Sequence, residues 1–215
     1  MKLIKRLLIL LIIAAAFFAG ITYHEAKDIY QEAVKNTPID EKVKQIQSIE
    51  HYTLYSQLPD TYVEAVIAVE DKRFEKHKGY DILSIGRAVL SNIKSGELSQ
   101  GGSTITQQLA RNMYFSQDKK ISRKLAEVFV ARDIEKMYDK DEIFELYVNS
   151  IYFGSGYYSV YDACIGYFGK KPAQMNSYEA TMLAGIPNAP SVYSPDVNPL
   201  ILYCLAQLCL WTRYR

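Results

Sequence analysis

The feature that most constrains this chain lies at its start. Residues 7–23, LLILLIIAAAFFAGITY, form an uncharged apolar run preceded by Lys2, Lys5 and Arg6. A helix rises about 1.5 Å per residue, so about 17–25 apolar residues cross the ~30 Å hydrocarbon layer of a bilayer. The run meets that length, and whatever follows residue 23 must fold on one side of a membrane. The basic flank predicts a cytoplasmic N-terminus with the rest of the chain outside. A cleaved signal peptide is the competing reading, because AAAFFAG offers small residues. The run is longer than a usual signal core, so a retained single-pass anchor in the cytoplasmic membrane is the expectation. Either reading exports the remainder.

That remainder is large enough for one globular domain, with 215 residues in the chain and 49% of them hydrophobic. A net charge of +1 carries no electrostatic footprint for nucleic acid. Three cysteines, Cys164, Cys204 and Cys209, form neither an even disulfide framework nor a zinc spacing. The 18 tyrosines suit amphipathic surfaces such as sugar clefts or a membrane interface, although ordinary packing accounts for most tyrosines.

Domain organisation follows from pattern. Residues 1–23 are the basic flank and anchor. Residues 24–50 are polar, broken by Pro38, and read as a short helix or stalk lifting the domain off the membrane. Residues 51–197 form the domain, and 198–215 an apolar tail without an acidic residue. Helical spacing of Tyr62, Val66 and Val69, with Asp60 as N-cap after Pro59, predicts a helix ending near Glu70. Further helices are expected over 81–97, stopped near Gly96, and over 104–115, where Thr104 and Gln107 fit a capping box. Others follow over 121–138, over 140–154 behind an Asp139–Glu142 box, and over 177–186. Strand alternation is scarce, so the fold class is mainly α.

Four clusters could carry chemistry. EDKRFEKHKGYD (70–81) ends an apolar helix, and Glu70 continues the stripe containing Val66, so it can turn inward. A carboxylate desolvated there gains a raised pKa and becomes a general base; a solvated helix end is the bland alternative. GGSTITQQLARN (101–112) joins a glycine pair to a helix start rich in polar heads, which suits a phosphate or a sugar, or simply a well-capped helix. In SRKLAEVF, Arg123, Lys124 and Glu127 share a helix face, either to hold a diphosphate or as a surface ion pair. EIFELYVNSIYFG sets Glu142, Glu145 and Asn149 at helical spacing in a role that reads as structural.

In order and wording, EDKRFEKHKGYD, GGSTITQQLARN, RKLAE, EIFELYVNSIYFG and YFGK (167–170) closely resemble the five motifs of the peptidoglycan glycosyltransferases. That family comprises monofunctional transglycosylases and the glycosyltransferase domains of class A penicillin-binding proteins. The likeness covers residues 55–195. It implies a lysozyme-like helical domain with a membrane-embedded jaw, acting on lipid II and the growing glycan chain at the cytoplasmic membrane, with cell-wall synthesis proteins as further partners. Glu70 would be the base that takes the proton from the acceptor's 4-hydroxyl as it attacks C1 of the donor, forming a β-1,4 bond with inversion. Arg111, Arg123 and Lys124 would meet the leaving diphosphate. Glu127 matches a second essential glutamate, which would orient those cations, bind a divalent metal or assist the leaving group; Mg²⁺ or Mn²⁺ is left open as a cofactor. Ser103, Thr104, Gln107, Gln108 and Asn112 would line the donor cleft, and Asp71, Phe74, His77 and Gly79 would shape the first motif.

Phe144 and Val148 stand where the family has leucines, and Cys164 where alanine is common; these read as packing swaps. LILYCLAQLCLWTRYR departs further, and a frameshift or early stop is the expectation for it. No penicillin-binding segment follows, so transpeptidation is not expected. Two other functions compete: a lytic lysozyme-like glycosidase, and a non-catalytic remnant that binds lipid II or a cell-wall partner.

Overall fold

Helices form wherever good helix formers run without glycine or proline, and in the computed structural model they account for all the regular structure of the described residues. Those are residues 2–95, 101–116 and 120–197; the tail over 198–215 and the expected stop at Gly96 lie outside them. The mainly α, lysozyme-like helical class expected from the sequence is the class observed.

Helix α1 (Lys2–Asn36) does not end with the apolar run at residue 23. It continues through the polar segment until Pro38, which disfavours helical geometry in the residue before it. Its second half packs on α6 (Ile121–Met137): Ala26 is buried, Tyr23 and Tyr30 set their rings edge-on to Phe129, and Tyr30 donates its hydroxyl to Asp133 at 2.5 Å. Helix α2 (Ile39–Gln47) buries Ile39 and Val43 in the domain core. Packing therefore crosses the expected boundary at residue 51, and the expected stalk lies against the domain.

Helix α3 (Asp60–Glu70) buries Tyr62, Val63, Ala65 and Val66. Pro59 occupies the cap position and Asp60 the first turn, where a carboxylate still favours the helix dipole. After α4 (Ile82–Ser95) comes α5 (Ile105–Tyr114), started by the expected Thr104–Gln107 capping box. Helix α7 (Lys140–Val148) starts at the expected Asp139–Glu142 box but stops six residues before the expected end at 154. Its C-cap Asn149 is pulled away by Thr53, whose N–H it accepts and whose carbonyl it donates to, at 2.9 and 2.8 Å. Helix α8 (Val160–Phe168), capped by Ser159, was not foreseen; α9 (Ser177–Gly185) and the short α10 (Pro190–Tyr193) complete the described fold.

One continuous core joins α2, α3, α5, α6, α7, α8 and α9. Phe144, Val148 and Cys164 are fully buried in it, which agrees with their reading as packing swaps. Two surfaces stay apolar and uncovered. One is the first half of α1; the other is α4, where Ile82, Leu83, Val89, Leu90 and Ile93 are exposed. Helix α1 is long and apolar enough to cross a membrane.

Candidate active site

Glu70 is the last residue of α3, and Asp71 breaks the helix with φ −155° and ψ 75°. The Asp71 carboxylate then holds two distant pieces together. Its Oδ2 accepts from His77 Nε2 at 2.7 Å and from the backbone N–H of Ile105, at the start of α5, at 3.0 Å. Gly79 closes the loop with φ 91°, and a Cβ there would lie 2.8 Å from the Ala131 carbonyl carbon, so only glycine fits. The Gly79 carbonyl accepts the Thr104 hydroxyl at 2.8 Å. The first motif is thus bolted to the first turn of the second.

Behind this joint lies a network that sequence reasoning missed. Glu135 Oε1 accepts from Thr106 Oγ1 at 2.6 Å and Lys140 Nζ at 2.7 Å, and sits 3.8 Å from His77 Nδ1. Lys140 also donates to the His77 carbonyl at 2.9 Å and lies over the Phe74 ring. His77 and Phe74 therefore act as supports, as expected. Glu135 and Lys140 carried no signal of their own, because their partner is far away in sequence.

Glu70 faces a cavity of about 460 Å³. Its Oε2 accepts from Gln108 Nε2 at 2.7 Å, while Oε1 is buried with no partner among the described residues. Burial raises its pKa above the ordinary carboxylate value, and neighbouring Asp71 adds to this; the Gln108 hydrogen bond and the positive charge of Arg111 oppose it. Gln108 and Arg111 are three apart on α5 and share a face. Arg111 lines the same cavity with its Nε unpaired. Ser103 and the backbone of Gly101 and Gly102 form another wall. A Cβ on Gly102 would come within 3.0 Å of the Ile85 Cα, so glycine lets α4 approach closely.

The second carboxylate has the opposite surroundings. Glu127, in mid α6, is fully buried. Its Oε1 pairs with Arg123 and its Oε2 takes Lys124 Nζ at 2.7 Å. Lys124 reaches on to Ser103 Oγ at 2.6 Å, and so touches the cavity rim through that hydroxyl. Neither Glu127 nor Arg123 lines the cavity.

The structure thus brings Glu70, Ser103, Gln108, Arg111 and Lys124 together. It gives other polar groups to the fold. Gln107 is buried, its side chain spent on the backbone N–H of Thr104, so its expected place in the donor cleft is corrected. Thr104 and Asp71 edge the cavity, but the Thr104 hydroxyl and Asp71 Oδ2 are committed as described. Asn112 lies one turn beyond Gln108, borders two other cavities, and makes a long 3.4 Å contact to the Ser150 carbonyl. Ser84, Arg87, Pro187 and Asn188 line the cavity and were not foreseen. Ser84 and Arg87 were detectable in principle, as polar residues three apart in the mainly apolar first half of the helix. Among the described residues no three His, Cys, Asp or Glu side chains cluster to hold a metal, and both Glu127 oxygens are taken, so a divalent cation finds no ready donor set at that residue.

Comparison with known proteins matches the sequence to a family. The family model described as transglycosylase matches residues 36–206, which includes half of the 198–215 segment expected to be atypical. A protein of Cupriavidus necator named as a candidate transglycosylase is 42% identical over 194 residues, covering 90% of this chain and 80% of that protein. Penicillin-binding protein 1F of Bacillus subtilis is 46% identical over 67% of this chain and 20% of its own length. Penicillin-binding protein 1A of Neisseria gonorrhoeae is 46% identical over 69% of this chain and 18% of its own length. The match thus spans about a fifth of either penicillin-binding protein.

Proposed function

Because the chain belongs to the transglycosylase family, the peptidoglycan glycosyltransferases of cell-wall synthesis, we propose that it polymerises lipid II into glycan strands with Glu70 as general base. The acceptor's sugar 4-hydroxyl attacks C1 of the growing donor chain. The Glu70 carboxylate takes the hydroxyl proton, the C1–oxygen bond to the lipid diphosphate breaks, and a β-1,4 bond forms with inversion. The diphosphate departs as an anion. The observation that carries this reading is the Glu70 carboxylate, one oxygen buried without a partner among the described residues, in the wall of a cavity that Arg111 and Arg87 also line. A weak hydroxyl nucleophile needs a positioned base, and a leaving diphosphate needs fixed positive charge where its own charge develops.

Each remaining group has a role in that step. Gln108 fixes the Glu70 carboxylate by its 2.7 Å hydrogen bond and leaves the other oxygen free. Arg111 opposes the rise in the Glu70 pKa and offers its guanidinium to the diphosphate from the cavity wall. Lys124, set by Glu127, presents the Ser103 hydroxyl to the cavity. Glu127 is a positioning residue in this scheme. The glycosidase reading is weaker for the same reason: hydrolysis by two carboxylates needs a second acid or base with a free oxygen, and Glu127 has none. The uncovered apolar faces of α1 and α4 support work at a membrane surface, where a lipid-linked substrate resides.

The test is incubation of the full chain, in detergent or bilayer discs, with purified lipid II. Glycan strands and free undecaprenyl diphosphate are expected. Cleavage of finished peptidoglycan without polymerisation would establish the lytic reading instead, and tight lipid II binding without turnover would establish the non-catalytic one.

A further inference from the structure

We propose that the hollow beside the start of α4 is a headgroup site selective for an acidic phospholipid. Arg73, Lys78, Tyr80, Ile82 and Leu83 line a cavity of about 280 Å³ there. Among the described residues it shares no wall with the Glu70 cavity, and the proposal takes nothing from the polymerase reading. Two kinds of wall meet in it. One is apolar: Ile82 and Leu83, the first residues of α4, are 69% and 57% exposed. Val89, Leu90 and Ile93 follow at helical spacing and are exposed as well, so an uncovered apolar stripe runs along the helix away from the hollow. In a chain whose α1 is long and apolar enough to cross a membrane, lipid tails can cover that stripe.

The other wall is cationic. Lys78 is exposed and has no partner among the described residues. Arg73 holds its Nε 3.0 Å from Asp81 Oδ2, and that contact leaves its terminal nitrogens uncommitted. Over residues 72–94 the exposed charged side chains are Lys72, Lys76, Lys78, Arg87 and Lys94 against Glu75 alone. Tyr80, 38% exposed, adds a ring with a polar tip, the kind of side chain that settles at a membrane–water interface. One molecule that satisfies both walls is a phosphodiester with acyl chains and a net negative charge. Its phosphate meets Arg73 and Lys78 while its chains follow Ile82 and Leu83. A zwitterionic lipid brings an ammonium group that these cations repel, and a free phosphate leaves the apolar wall wet. An apolar helix face alone enters any bilayer; the cations beside it make the contact selective for charge.

The test is lipid binding by the full chain in neutral detergent micelles, read by native mass spectrometry. The probes are phosphatidylglycerol and phosphatidylcholine with matched chains. Wild type should retain phosphatidylglycerol in preference. Lys78→Gln removes an exposed, unpaired charge, so the fold should persist by circular dichroism while affinity for phosphatidylglycerol drops about five-fold. Lys78→Arg should keep the preference, and Lys94→Gln, at the far end of α4, should leave it unchanged. The basic residues Lys2, Lys5 and Arg6 also attract acidic lipid, but equally in every variant, so the differences between variants read the hollow alone. Equal retention of the two lipids by wild type overturns the proposal. So does a preference that survives Lys78→Gln, or one that Lys94→Gln weakens as much. Glycerol phosphate without acyl chains binding as tightly, or undecaprenyl diphosphate displacing phosphatidylglycerol in a Lys78-dependent way, would assign the hollow to another occupant and overturn it too.

Discussion

Glu70 is a half-buried and Glu127 a fully buried glutamate of one helical domain, and the protein treats them in opposite ways. Glu70 closes α3 with one oxygen tied to a neutral amide and the other free. Glu127 sits in mid-helix with both oxygens bound to cations. A desolvated carboxylate with a spare lone pair has its pKa raised, which makes it a stronger proton acceptor. One with both oxygens bound to cations serves as a socket for them. On the proposed reading the difference separates reacting from holding, although both residues look alike as motif letters.

The largest break in this contrast should come from Glu70→Gln. It keeps the shape and the Gln108 contact but removes the proton acceptor, and should cut the polymerisation rate about 10²–10⁴-fold with the fold intact by circular dichroism. Glu127→Gln should act differently, by leaving Arg123 and Lys124 uncompensated. Lys124 can swing to water, so the stability loss should fall near the low end for a broken buried pair, about 3 kcal/mol by denaturant unfolding. Its activity should fall less than that of Glu70→Gln at a temperature where both are folded.

The pH profile sharpens the contrast further. A base must be ionised to act, so the rate should fall as pH drops through the Glu70 pKa, at a pH above the ordinary glutamate range because burial raises it. Arg111→Met removes an opposing charge and should move that acidic limb to still higher pH. The smallest effect concerns stability. A raised folded-state pKa means that Glu70 favours the fold most below its unfolded pKa and loses that contribution as pH rises through its folded pKa. At neutral pH Glu70→Gln should therefore raise Tm slightly, about 2 °C, and the gain should vanish in acid.

Local signals were the legible part of the sequence. Both capping boxes, at Thr104–Gln107 and Asp139–Glu142, sit where residue spacing put them, and the inward turn of Glu70 followed from the Val66 stripe. What stayed hidden depended on partners remote in the chain. Helix α7 stops at Val148 because Asn149 binds Thr53, and Lys140 serves the first motif through His77. The row from Ser103 to Asn112 looked like one polar lining. On a helix, however, Gln107 points about 100° away from Gln108, while Asn112 lies one turn beyond Gln108 on nearly the same face, and only packing decides which face meets the cavity. The polar composition of residues 24–50 suggested a detached stalk, since a helix buried along one narrow stripe shows little hydrophobicity.

That segment has a mechanical consequence. Residues 24–36 extend the apolar rod by about 20 Å at 1.5 Å per residue without interruption, and Tyr23, Tyr30 and Ala26 clamp it to α6. A domain mounted on such a mast cannot drift to and from the bilayer as it would on a floppy leash. Its altitude is set, leaving swivel about the mast and travel in the plane of the sheet of lipids. Encounter with a molecule dissolved in that sheet becomes a two-dimensional search, and a glycine pair inserted after Glu25 would restore the lost freedom and scatter the Glu70 cavity over many heights.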